Sequence, residues 1–248
     1  MPQFPQKNAA QSLNHSDAAL SPFGVKTQGP TIHDLPPSAR AFLEYKGSVR
    51  TYRRDEVVQR HMEAPHAASW LLQGRLRSVV YLPEGGEQNA GWVMPDELFG
   101  VYNQLLPECP SRSNLIVDTD QARILHFSRE VLLELMRAMP EARVGVAMGL
   151  SRRVVQLHDV IDISGPRALL DKVRAVLVWW SNQYGLPALD GSVELWVSQN
   201  DLANGVGASR QRVHLELRTL RDLGEVEVAY RKLILRPRFF EQLRLFSD

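Results

Sequence analysis

The stretch SQNDLANGVGASRQRVHLELRTL, residues 198–220, decides how this chain is read, because two capped helical patterns meet in it across a glycine-containing turn. Ser198 and Asp201, three residues apart, form a capping box with Asp in the place usually taken by Glu. Leu202, Ala203 and Val206 then give a short first helix its apolar face. Gly205 and Gly207 bracket Val206 and permit the sharp, partly left-handed turn that lays one helix across another. Ser209 stands where its hydroxyl accepts from the free amides of Gln211 or Arg212, and it opens a second helix over 209–222. Along that helix Val213, Leu217 and Leu220 recur at the spacing of a buried stripe, while Arg210, Gln211, His214, Arg218 and Arg221 lie on the polar side. The forked donors of Arg and Gln match guanine and adenine edges. The pattern is that of a helix-turn-helix, with Ser209, Arg210, Gln211, Arg212, His214 and Arg218 as candidate DNA-contacting residues. The competing reading is a structural helical pair whose arginines merely face water.

The residues C-terminal to the second helix favour DNA. Gly224 is placed as a C-cap, and EVEVAY at 225–230 alternates with the period of a strand. Tyr230, Arg231 and Lys232 make a hairpin tip, LIL at 233–235 the return strand, and Pro237 its end. This predicts a wing beside the second helix, with Arg231 and Lys232 contacting phosphates, which fixes register without carrying sequence information.

The chain has 248 residues, 44% of them hydrophobic, enough for one large or two modest domains with proper cores. A formal net charge of +1 gives no bulk attraction to nucleic acid, so binding must come from local arrangement. The single cysteine, Cys109, excludes an intrachain disulfide and a four-cysteine iron–sulfur cluster, which fits a reducing cytoplasm. No apolar run reaches about 18 residues and no secretory signal opens the chain, so a cytoplasmic protein with no membrane partner is expected.

Residues 1–30 are rich in Gln, Asn, Ser and Pro and read as a flexible arm. Residues 31–128 hold a short helix at 38–47 and then brief strands separated by Gly, Pro and acidic turns, with PEGGE at 83–87 as a loop tip. They predict a small β-barrel or sandwich acting as a sensor domain. From Ser128 the period becomes helical, and after Pro140 an apolar stripe including Val144, Met148, Val155 and Ile161 runs to Ile163. Residues 129–164 are therefore expected to cover the barrel with one face and to pair with a second copy of the chain through another. Ser-Gly-Pro at 164–166 breaks that helix, and 165–248 form the winged domain, beginning with an apolar helix that carries Trp179 and Trp180.

The whole is an α+β chain: N-terminal β-barrel, long central dimerisation helix, C-terminal winged helix-turn-helix. In this order it resembles the Crp/Fnr (cyclic-AMP receptor protein and fumarate–nitrate regulator) superfamily of bacterial transcription factors over roughly 35–240. DLANGVGASRQRV at 201–213 is the most specific match. The resemblance implies a homodimer on an inverted-repeat operator, RNA polymerase as a partner, and base reading by Arg210 and Gln211. Leu215 departs from the Arg that many members carry there. The effector pocket departs further. Gly100, Arg112 and Ser113 match the phosphate-holding pattern, but Val101 stands where a carboxylate would hold ribose, which argues against cyclic AMP and leaves the small-molecule effector unknown. Haem ligation through His61, His66 or His126 and a redox role for Cys109 are lesser alternatives. The alternative from another class is a small-molecule- or metal-binding barrel, possibly enzymatic, with His61, Glu63 and His66 as ligands and the winged domain serving protein interaction. No nucleophile with a base and no phosphate-cradling glycine loop is present, so catalysis is not expected.

Overall fold

The computed structural model describes residues 30–81, 87–165 and 167–244. The expected arm at 1–30 lies outside these except for Pro30, as does the loop tip at 83–87 except for Glu87. A 3-10 turn at Ile32–Asp34 and helix α1 (Pro37–Lys46) lead into strands β1 (Ser48–Arg53), β2 (Val57–Gln59), β3 (Ala68–Gln73), β4 (Leu76–Tyr81), β5 (Glu87–Val93) and β6 (Leu98–Phe99). Helix α2 (Val101–Leu105) separates these from β7 (Asn114–Val117) and β8 (Gln121–Phe127). The eight strands form two antiparallel sheets, ordered β1-β8-β3-β6 and β2-β7-β4-β5, in a jelly-roll-like sandwich. Alternation explains the pairing: Leu115 and Val117 of β7, and Ala122 and Ile124 of β8, point inward to meet Tyr52, Leu71, Leu76 and Phe99. Strands β2 and β6 have three and two residues, too few to show periodicity in the sequence.

Ser128 caps helix α3 (Arg129–Ala138), its hydroxyl accepting from the Val131 amide at 3.4 Å. Helix α4 (Pro140–Ser164) comes next; its 25 residues span about 37 Å. One side is built for close contact with the segment before α1: a Cβ at Gly149 would lie 2.6 Å from Pro30, and one at Gly145 would strike the Asp34 carbonyl. Arg152 reaches the Asp34 carboxylate from the same side. The other side carries exposed Val144, Met148, Val154, Val155, Leu157 and Ile161.

The winged domain comprises α5 (Leu169–Tyr184), β9 (Leu186–Pro187), β10 (Val193–Leu195), α6 (Gln199–Val206), α7 (Arg210–Asp222), β11 (Val226–Ala229), β12 (Lys232–Leu235) and α8 (Pro237–Arg244), with sheet order β11-β12-β10-β9. Leu177, Trp180, Leu195, Leu202, Leu217, Leu233 and Phe239 are its fully buried centre. Each such leucine stabilises the fold by roughly 1.5–3 kcal/mol relative to exposure. Pro237 does end β12, but it also opens α8, since a proline in the first helical turn needs no amide donor.

The two cores are joined. Trp92 of β5 is 4% exposed and packs edge-on against Trp180, with ring centroids 4.9 Å apart, and against Tyr184 at 5.2 Å. The Arg75 guanidinium lies 5.2 Å from the Trp92 ring, and Arg75 Nη1 donates to the Trp196 carbonyl at 2.7 Å. Gly91, at φ 108°, is the gap through which Tyr184 approaches: a Cβ there would lie 2.5 Å from its hydroxyl oxygen.

Candidate nucleic-acid interface

The capping box of α6 forms as its spacing requires. Asp201 N donates to Ser198 Oγ at 3.1 Å, and Ser198 N donates to Asp201 Oδ2 at 2.8 Å. Gly207 ends the helix in the left-handed region (φ 66°, ψ 40°), with the Ala208 amide donating to the Ala203 carbonyl at 3.0 Å. The expectation that Gly205 shares this turn is corrected. Gly205 is helical, and its missing side chain admits Trp180, whose Cζ2 would lie 2.7 Å from a Cβ.

Ser209 caps α7 by accepting from Arg212 N at 3.4 Å. Val213, Leu217 and Leu220 are buried beneath, so Ser209, Arg210, Gln211, Arg212, His214 and Arg218 all emerge on the exposed side. Their states differ. His214 Nδ1 lies 3.3 Å from Gln199 Oε1, tying the two helices together. Arg218 Nε lies 3.9 Å from Asp222, which Arg221 also engages at 2.9 Å, so that end of the helix is partly self-neutralised. Arg210 and Arg212 pair with no carboxylate among the described residues. Leu215, 57% exposed, sits in the middle of the outward face.

The wing is a tighter hairpin than expected. Ala229 pairs with Lys232, leaving Tyr230 and Arg231 as a two-residue turn with Arg231 at φ 51°. Arg231 is exposed. Lys232 is not a tip residue: it begins β12, its ammonium bonds Glu194 at 2.9 Å and lies 5.5 Å from the Trp196 ring. Alternation along β12 places it on the same sheet face as Glu194, and that ion pair competes with the phosphate contact expected of it. The signal was available in the sequence only as the alternation of Lys232 with Ile234, since Glu194 is 38 residues away.

The effector candidates come together only in part. Gly100 adopts φ 72° at the start of α2, where a Cβ would be 3.0 Å from the Ala67 carbonyl and 3.6 Å from Gln59 Oε1. Gln59 Nε2 in turn donates to Ser111 Oγ at 2.5 Å, Ser111 Oγ donates to the Ser113 carbonyl at 2.7 Å, and Ser78 Oγ donates to Ser113 Oγ at 3.0 Å. Gln59 and Ser78, which the sequence did not single out, are isolated polar residues on short strands and carry no pattern. Arg112 is exposed, and Val101 is buried at 2% in the apolar core. Haem ligation by His126 does not fit. Tyr52 Oη and Ser69 Oγ lie 2.9 and 2.8 Å from its two ring nitrogens, and burial, then the Arg50 charge, hold its pKa below the usual value. No group of three potential metal ligands occurs among the described residues, so His61, Glu63 and His66 do not form the set that the metal-barrel alternative needs. His61 instead packs edge-on to Tyr81. None of the described helices is long and apolar enough to cross a membrane.

A jelly-roll-like β-sandwich, a long helix with an exposed apolar stripe and a winged helix-turn-helix follow one another along the chain. Residues 49–139 match the family model of the cyclic nucleotide-binding domain. The chain as a whole shares its fold with solved transcriptional regulators of the CRP/FNR family. It is 22% identical over 186 residues to the global nitrogen regulator of Nostoc sp., covering 75% of this chain and 83% of that one. Against the global nitrogen regulator of Synechocystis sp. it is 21% identical, with the same coverage. Among solved structures, the c-di-GMP-responsive global regulator CLP of Xanthomonas campestris superposes with a TM-score of 0.70 at 17% identity, covering 81% of this chain and 99% of that one. FixK2 of Bradyrhizobium japonicum gives 0.64 at 21%, covering 79% and 96%.

Proposed function

We propose that this protein is a homodimeric, DNA-binding transcription regulator whose β-domain senses a signal and whose α7 reads an inverted repeat. The observation that carries this is the face of α7, where Arg210, Gln211 and Arg212 stand exposed on a capped helix beside a wing with Arg231 at its turn. The exposed apolar stripe of α4, from Val144 to Ile161, supplies the seam for a second copy. Two recognition helices would then meet half-sites about 34 Å apart. The signal enters at the corner of Gly100, Ser111 and Ser113, with Arg112 available to an anionic group. The apolar burial of Val101 supports an effector other than cyclic AMP. The relatives named as nitrogen regulators make regulation of transcription the reading; RNA polymerase is the partner tested by transcription from a bound promoter in vitro.

Selection of bound duplexes from a random pool tests this reading. An inverted repeat with half-sites one turn apart is expected, and no enrichment at about 150 mM salt, with or without cell extract as an effector source, refutes it. Arg210→Ala should cost about 1–3 kcal/mol on the selected site and relax preference at one base pair. An equal loss on every sequence removes the base-reading role.

A further inference from the structure

Five of the described cations of the winged domain are spoken for: Arg174 pairs with Glu225, Lys232 with Glu194, Arg236 with Glu227 and Asp190, and Arg218 and Arg221 with Asp222. Three that are not converge. Arg167, Lys172 and Arg212 line a depression of about 140 Å³ floored by Val206, Gly207 and Ala208, and no acidic residue among those described lines it. None of the three pairs with a carboxylate among the described residues. Arg167 comes from the segment between α4 and α5, Lys172 from the first turn of α5, and Arg212 from the first turn of α7. Three separate elements thus bring like charges to one concavity, an arrangement that repels itself unless an anion occupies it. Gly207, with nothing within 4 Å of a Cβ position, leaves its floor open for close approach to the backbone.

We propose that Arg167, Lys172 and Arg212 form a clamp for one phosphate of the DNA backbone in each protomer, extending the interface beyond the helix-turn-helix to the joint between α4 and α5. This rests on the DNA-binding reading above. A duplex is the favoured source of the phosphate because Arg212 comes directly after Arg210 and Gln211: bases brought to those two residues carry the backbone to the next. Arg167 lies three residues beyond the end of α4 and two before the start of α5. A phosphate held there ties the joint itself to DNA, so the orientation of α4 and the grip on DNA become linked.

The test is fluorescence anisotropy of the full chain on its selected operator and on a scrambled duplex, from about 50 to 300 mM salt, for wild type, Arg167→Ala/Lys172→Gln and Arg210→Ala. The double variant is expected to bind both duplexes about tenfold more weakly at 150 mM salt. The slope of log affinity against log salt should fall by about 2, one phosphate per protomer of a dimer. Arg210→Ala should instead lose discrimination, and Arg167→Lys should restore the slope. Circular dichroism and the melting temperature establish that the double variant is folded; if it is not, Arg167→Gln, at an exposed position, is measured alone, with half the change in slope expected. Wild-type affinity and slope in the folded double variant, or in Arg167→Gln where that is the variant measured, overturn the clamp while leaving base reading intact. Inorganic pyrophosphate that raises the melting temperature of wild type but not of that variant, with DNA binding by the variant unchanged, also overturns it, assigning the site to a free anion. If wild type binds neither duplex, the DNA reading itself falls.

Discussion

Trp92→Ala should separate the two domains. Trp92 belongs to β5, yet its ring is buried in the core of the winged domain, at 4.9 Å from Trp180 and 5.2 Å from Tyr184, with Arg75 at 5.2 Å from its face. Truncating a buried tryptophan costs about 3–5 kcal/mol. Of this, the two edge-on ring pairs supply roughly 1–3 kcal/mol and the Arg75 contact about 1. Because these contacts cross between domains, the loss falls on their coupling and on the winged domain, not on the sandwich core around Leu71 and Ile124. In urea, with a slope of about 2 kcal/mol per M, the winged-domain phase should move down by roughly 1.5–2.5 M. Tryptophan fluorescence, to which Trp179, Trp180 and Trp196 contribute three of the four remaining indoles, should then begin to change ahead of the far-ultraviolet circular dichroism signal. Coincident transitions with a midpoint within about 0.3 M of wild type refute the claim that Trp92 couples the domains.

Gly205→Ala should destabilise the protein by roughly 1–3 kcal/mol in thermal melts, because the added methyl meets Trp180; a neutral or stabilising effect denies the close packing. Glu97 is buried and its pKa is raised to about 7, chiefly by burial and against the pull of Arg153. Its folded value exceeds its unfolded one, so this contribution to stability is complete below about pH 4.5 and is lost as pH rises through 7. Glu97→Gln should remove up to about 3 kcal/mol of the decline between pH 5 and 8, measured by chemical denaturation across that range. Met148→Glu, on the exposed stripe of α4, should shift sedimentation from dimer to monomer at micromolar concentration; an undisturbed dimer places the seam elsewhere. Lys232→Ala should leave DNA affinity within about twofold while Arg231→Ala weakens all sequences alike, since a cation already bonded to Glu194 has little to give a phosphate.

Local chemistry was legible without coordinates. Ser198 with Asp201, and Ser209 with Arg212, specify caps within three residues of themselves, and the stripe of Val213, Leu217 and Leu220 specifies which face of α7 is left exposed. The 25-residue run from Pro140 likewise declared a helix with two apolar sides. These are short-range signals: each depends on neighbours one helical turn away. The roles of cations are not of that kind. Whether Lys232 or Arg167 is free for phosphate depends on where Glu194 and the turn at Gly207 come to rest, and the residues concerned are separated by 35 positions or more. The same holds for Trp92, whose partners lie about 90 residues on. The amino-acid pattern alone therefore determined that the chain has a β-rich region, a long helix and a capped helix with a basic exposed face. Only tertiary structure decided which charges are neutralised, which glycine turns and which one packs, and that β5 of the sandwich is anchored in the core of the winged region. Ion pairing and close packing are set by distances of a few ångströms between elements remote in sequence, and periodicity carries no record of them.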